Sequence, residues 1–164
     1  GRLETKGNGK FIARPEAVGN DVEITVSARN EGRTQVMGKF GFRVRKLPDP
    51  TAYIAYSGAD GNPERFRGGN LTKQVLMGAE GIGAAIDDGL LNIEFSVSSF
   101  ETVFYDAMGN AVPYRSDGAK FSDRQRNQIR ALSRNKRFYI TSIQAVGPDG
   151  VERTLSGAME IIVK

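Results

Sequence analysis

Apolar and polar residues alternate along much of this chain, and the period of two is that of strands with one face on a core. Val22, Ile24 and Val26 alternate with Glu23, Thr25 and Ser27 as far as Ala28. Phe40, Phe42 and Val44 repeat the pattern, with Lys39, Arg43 and Arg45 on the opposite face. Asn30-Glu31-Gly32 supplies turn chemistry between the two runs, and Lys10 to Arg14, before Pro15, reads as a shorter strand. Leu90 to Tyr105 carries the strongest strand signal. Leu91, Ile93, Phe95 and Val97 hold odd positions, then Phe100, Thr102 and Phe104 hold even ones. A phase change at Ser98-Ser99 predicts a bulge or bend that lets one long strand serve two packing environments.

The same reading predicts strands over 51–56, 111–114, 138–146, 151–155 and 159–163, with turns at Asp106–Asn110 and Gly147-Pro148-Asp149-Gly150. Residues 57–70, rich in Gly, Asp, Asn and Pro, read as a loop, and Leu71 to Ala79 fits two turns of helix ended by Gly81 and Gly83. A helix is predicted over 123–134. Ser122 precedes it, Gln125 stands three residues on as the reciprocal half of a capping box, and Asp123 suits the positive N-terminus. Its apolar side chains are few, chiefly Ile129 and Leu132, which places it on the surface or edge of the sheet. The fold class is mainly β: immunoglobulin-like or β-sandwich modules with one short α-helix in the C-terminal part.

Leu47-Pro48-Asp49-Pro50 interrupts the pattern, since two prolines fix φ twice and remove two backbone donors. A domain boundary is expected there. Residues 1–47 then form the C-terminal part of a truncated β-sandwich domain, and residues 48–164 a C-terminal β-rich domain. About three strands in the first part fall short of the seven or so of an immunoglobulin-like sandwich. Strands upstream, the neighbouring domain or a second copy of the chain would have to complete it. The opening Gly1-Arg2-Leu3, without Met or a signal-peptide pattern, reads as part of something longer.

Composition narrows the chemistry. The 164 residues include neither Cys nor His, which removes disulfides, thiolate metal sites, cysteine nucleophiles and the commonest general base. Lys and Arg total 23 against 19 Asp and Glu, and the positive charge is dispersed among the acids rather than gathered beside aromatics, which argues against nucleic acid as a partner. No apolar run reaches the roughly 18 residues of a membrane span. Gly78-Ala79-Glu80-Gly81-Ile82-Gly83 has the look of a phosphate loop but lacks the following Gly-Lys-Ser/Thr, and a turn is the better reading. Asp60-Gly61-Asn62 and Asp87-Asp88 offer oxygens without the alternating spacing that wraps calcium. No catalytic residue, cofactor or metal is assigned.

Binding features are left. Arg126, Arg130 and Arg134 recur every four residues, which on a helix draws a stripe of guanidinium groups, with Lys136 and Arg137 just beyond. Such a stripe is either a solvated face or a contact for an acidic protein surface, and Lys39, Arg43 and Arg45 carry the same two readings. Tyr53, Tyr56, Tyr105 and Tyr114 suggest a second possibility, a carbohydrate- or peptidoglycan-binding sandwich, set against core or cross-strand pairing of the same rings.

The run Met37-Gly38-Lys39-Phe40-Gly41-Phe42-Arg43-Val44-Arg45-Lys46-Leu47-Pro48-Asp49-Pro50-Thr51-Ala52 resembles the junction between the last two periplasmic domains of the GldM/PorM family of the type IX secretion and gliding machinery. The likeness continues through Leu91 to Val103, Lys120-Phe121-Ser122 and Gly147-Pro148-Asp149-Gly150-Val151-Glu152-Arg153, and its detail is closer to PorM. The resemblance implies a non-catalytic periplasmic module of an elongated homodimer anchored in the inner membrane. It further implies a membrane partner, PorL (GldL), reached through the anchor, and contact with the outer-membrane-associated ring of PorK and PorN (GldK and GldN).

Overall fold

The computed structural model describes residues 1–164, which divide into two compact units, Gly1–Pro48 and Asp49–Lys164. The protein is mainly β, as the alternation predicts.

Unit 1 consists of two hairpins. β1 (Arg2–Gly7) pairs with β2 (Lys10–Arg14), and β3 (Asp21–Asn30) with β4 (Arg33–Arg43), both antiparallel. Each turn has two residues with positive φ, Asn8-Gly9 in the first and Glu31-Gly32 in the second, the geometry that matches the right-handed twist of the strands it joins. β1 is one strand more than the sequence reading anticipated, although Asn8-Gly9 is the strongest short hairpin signal there is. Met37 is an extra residue opposite Val26–Ser27, a bulge that bends β4.

No side chain of unit 1 is buried within it. Val22, Ile24 and Val44 are half-covered, while Phe40 and Phe42 remain 53% and 55% exposed. The alternation thus gives both strands an apolar face, and the unit covers it only in part. A cleft of about 720 Å³ between the hairpins is lined by Leu3, Ala13, Pro15, Val22, Ile24 and Phe42, among others.

Unit 2 holds a nine-stranded sheet and two short helices. Its strands are β5 (Thr51–Ser57), β6 (Pro63–Phe66), β7 (Gly69–Leu71), β8 (Gly81–Asp87), β9 (Asn92–Tyr105), β10 (Ala111–Asp117), β11 (Arg137–Val146), β12 (Glu152–Thr154) and β13 (Met159–Val163). The helices are α1 (Lys73–Gly78) and α2 (Asp123–Ala131). The hydrogen-bonded order is β6-β5-β8-β9-β11-β13-β7, with β10 added to β9 and β12 to β11. The first and last strands of that path are joined by only Arg67 and Gly68. The sheet therefore curls until its two ends lie side by side around one core.

β9 turns the corner. Its residues 92–95 pair with β8, and its residues 99–105 pair with β10, while the opposite edge runs along β11. Phe95, Val97 and Ser99 point into the core, then Phe100, Thr102 and Phe104 do. The phase change read from the sequence is present, between Ser99 and Phe100. β11 changes phase opposite it, burying Phe138 and Ile140 and then Ile143 and Ala145, with Ser142 at φ 52° as its bulge residue. Two offset bulges restore the register. Phe104 stacks on Phe138 at 5.0 Å and meets Tyr114 edge-on, and Phe100 meets Phe121 edge-on at 5.4 Å.

Two segments differ from expectation. Residues 57–70, read as a loop, contain β6 and β7, whose four and three residues are too short to show a period. Gly81 and Gly83 do not simply break α1, since they open β8. Gly83 lies under the ring of Tyr53, where any Cβ would overlap the ring atoms, so packing requires the glycine that looks like a strand breaker.

Candidate functional site

The basic stripe read from the sequence falls on α2, which the structure packs against α1. The capping box at its start is present: the Ser122 amide donates to Gln125 Oε1 at 2.8 Å, and Ser122 Oγ accepts from the Gln125 amide. Gln125 is fully buried and also donates from Nε2 to the Tyr114 carbonyl at 2.9 Å, which ties the helix to β10. Helix α2 ends at Ala131, three residues short of the predicted end, so Arg134 belongs to the following turn.

Each helix neutralises the C-terminal end of the other. Arg126 donates from Nη1 to the Met77 carbonyl at 3.0 Å and from Nε to the Phe121 carbonyl at 3.3 Å. Lys73 Nζ donates to the carbonyls of Arg130 (3.0 Å) and Leu132 (2.5 Å). Cations at the last carbonyls of helices satisfy orphan acceptors and oppose the negative end of the helix dipole. The structure therefore does not bring Arg126, Arg130 and Arg134 into one line. Arg126 is half-buried and engaged within the chain, Arg130 is exposed and donates to Asn127 Oδ1, and Arg134 is exposed in the turn. Lys39, Arg43 and Arg45 are exposed in unit 1, where Lys39 pairs with Glu23 at 3.3 Å.

The four tyrosines do not gather into a platform. Tyr53 is buried and donates to Glu94 at 2.9 Å, with the Arg65 guanidinium 4.6 Å above its ring. Burial, then Glu94, raises its pKa. Tyr56, three positions along β5, donates to Glu64 at 2.5 Å, a bond that raises its pKa. Tyr114 packs on Phe104, and Tyr105 stands edge-on to Tyr139 at 6.1 Å.

The acids considered for calcium are occupied in turns and ion pairs. Asp60 accepts from the Asn62 amide and its Nδ2, and Asp88 accepts from the amides of Leu90 and Leu91. Those hydrogen bonds hold both carboxyls below their usual pKa. Asp87 is paired with Arg65 and Arg67. One arrangement escaped the sequence reading. Arg153, with its side chain 5% exposed, is held by Asp149 and lies 5.4 Å over the Phe95 ring, with Nε 3.7 Å from Asp49 Oδ1. The Asp149/Arg153 spacing in the Gly-Pro-Asp-Gly turn was its only sequence signal.

Residues 48–164 match the GldM C-terminal domain, and residues 1–45 match the GldM third domain. The chain belongs to the GldM family. GldM domains are parts of the gliding and type IX secretion machinery, in which the family is a structural component. No curated protein matches the chain. No helix in it is long and apolar enough to cross a membrane.

Proposed function

We propose that this chain is a non-catalytic, periplasmic, protein-binding and force-transmitting module of the type IX core complex, from the PorM side of the GldM family. In this reading it contacts the outer-membrane-associated ring of PorK and PorN, and the inner-membrane anchor and PorL are reached through other parts of the protein. The observation that carries the reading is the succession of the third and C-terminal GldM domains along one chain. The charged groups of unit 2 support it: they lace helices, turns and sheet edges together, as befits a rigid body that others grip.

The protein acts as a homodimer, with a second copy covering the apolar face of unit 1. Isolated two-stranded hairpins are marginal in water, and these expose Phe40, Phe42, Val36 and Leu3.

Purified PorK and PorN, each immobilised separately, test the ring contact. The chain is expected to be retained by at least one, and Arg130→Glu with Arg134→Glu is expected to weaken retention. Retention by neither would overturn the ring contact, and undiminished retention of the double variant would move it away from the end of α2.

A further inference from the structure

A groove of about 810 Å³ runs between the corner where β9 turns into β10 and the turn that follows α2. One wall is Tyr105 with Asp106 and Ala107, and the other is Leu132 with Lys136 and Arg137. We propose that this groove is a docking site for an acidic polypeptide segment of a partner protein. The inference deepens the protein-binding role proposed above and rests on it for its place in the cell.

Charge is the first argument. Lys136 and Arg137 line the groove and Arg134 stands in the turn beside it, and neither Arg134 nor Lys136 has an ion-pair partner in the chain. Arg137 donates from one nitrogen to Glu160 at 2.8 Å, which leaves other N–H groups of its five to offer. The one acid of the lining, Asp106, is turned to its own loop, where Oδ1 accepts from the amides of Met108 and Asn110 and Oδ2 from Asn110 Nδ2.

Rigidity is the second. The Asn135 amide donates to the Val163 carbonyl at 2.7 Å, the Val163 amide to the Lys136 carbonyl at 2.9 Å, and the Lys136 amide to the Ser133 carbonyl at 3.2 Å. Lys73 fixes the carbonyls of Arg130 and Leu132 on the helix side. A cationic turn held by these five hydrogen bonds is ordered before any partner arrives, and little further ordering is lost on binding.

The lining also selects the kind of anion. A compact phosphate favours donors that converge at a helix N-terminus or nest, whereas this groove lies at the C-terminal end of α2, where the helix dipole opposes a concentrated negative charge. The cations are separated by apolar surface from Ala107, Ala131 and Leu132, and Tyr105 is 48% exposed beside them. Dispersed carboxylates interspersed with apolar side chains fit that lining, and exposed Tyr with Arg is the pairing that dominates protein interfaces.

The test uses the full chain labelled with nitrogen-15 and an eight-residue probe peptide of six glutamates with one Phe and one Leu. Saturable shifts are expected in the amides of 105–107 and 131–137, weakening as salt rises and absent when glutamine replaces every glutamate. Lys136→Glu and Tyr105→Ala, both at exposed positions, should each weaken binding about tenfold, while Arg29→Glu, at an exposed position of β3, should leave it unchanged. Shifts centred elsewhere, an equal response to the glutamine peptide, or the same shifts from inorganic phosphate would overturn the proposal. So would the absence of any binding, whatever the ring proteins do. Ring binding that survives Lys136→Glu would place that contact elsewhere and leave the peptide result standing.

Discussion

The Arg153 guanidinium grips the Asp149 carboxylate across the Gly147–Gly150 turn with two hydrogen bonds, Nη1 to Oδ1 at 3.1 Å and Nη2 to Oδ2 at 2.5 Å. Those bonds hold the Asp149 pKa down to about 2. A folded-state pKa below the unfolded one gives stability that is complete above about pH 4 and disappears as pH falls toward 2. The contribution is about 1–2 kcal/mol after allowance for screening of the partly exposed carboxylate. Denaturant melts at pH 6, 4, 3 and 2.5 should show wild type and Asp149→Asn converging as the acid is protonated. A gap that stays constant with pH would show that the bonds carry no such coupling.

Removing one partner of this pair should cost more than replacing the buried cation by a hydrocarbon. Asp149→Ala leaves Arg153 buried with the Val151 carbonyl and the distant Asp49 as its remaining partners, at a cost of about 3 kcal/mol. Arg153→Met keeps the packing on Phe95 and should cost less, a ranking read directly from urea midpoints.

Gly83 and Tyr53 should be energetically coupled. Gly83→Ala forces the ring off the strand and should destabilise unit 2 by about 1–3 kcal/mol. Combined with Tyr53→Ala, the two losses should sum to clearly more than the double variant shows, because the overlap has gone. Additive losses in thermal melts would mean that the ring does not hold this place.

Gln125 should behave as a core residue despite its amide. Gln125→Leu leaves the Ser122 amide without a partner and the Tyr114 carbonyl with only the longer bond from Thr102 Oγ1 at 3.4 Å, which costs about 2–3 kcal/mol. Ser122→Ala removes only the cap, at about 1 kcal/mol. Equal effects of the two in calorimetry would contradict the buried network.

A homodimer that covers unit 1 should dissociate when its apolar face is charged. Phe40→Asp with Phe42→Asp should give a monomer by light scattering, with the melt of unit 2 unchanged. A wild-type chain that remains monomeric at millimolar concentration would remove the second copy as the covering partner.

What could be read from the sequence was local. The alternation in β9 and its phase change, and the capping box at Ser122–Gln125, each depend on residues within a few positions of one another, and both stand in the structure. What escaped depends on distant partners. β7 exists because β13 runs beside it, and β8 accommodates Gly83 because Tyr53 covers it. The direction of Arg126 is set by Met77 at the end of α1, 49 residues away, and no spacing within α2 could distinguish it from Arg130. The groove beside Tyr105 joins segments 24 or more residues apart for the same reason.

The closing of the sheet also has a calendar. β7 runs parallel to β13, pairing Gly69 with Ile161 and Leu71 with Val163, and only that ladder joins β7 to the rest of the strand path. While the chain is being made, residues 69–71 emerge early and wait some ninety positions for the strand that receives them. Until residues 159–163 follow, both edges of the nascent sheet are open to strands of other chains. Contacts this distant in sequence form late, so unit 2 must mature after the ribosome has passed its last strand, a stage at which chaperones would find the most to hold.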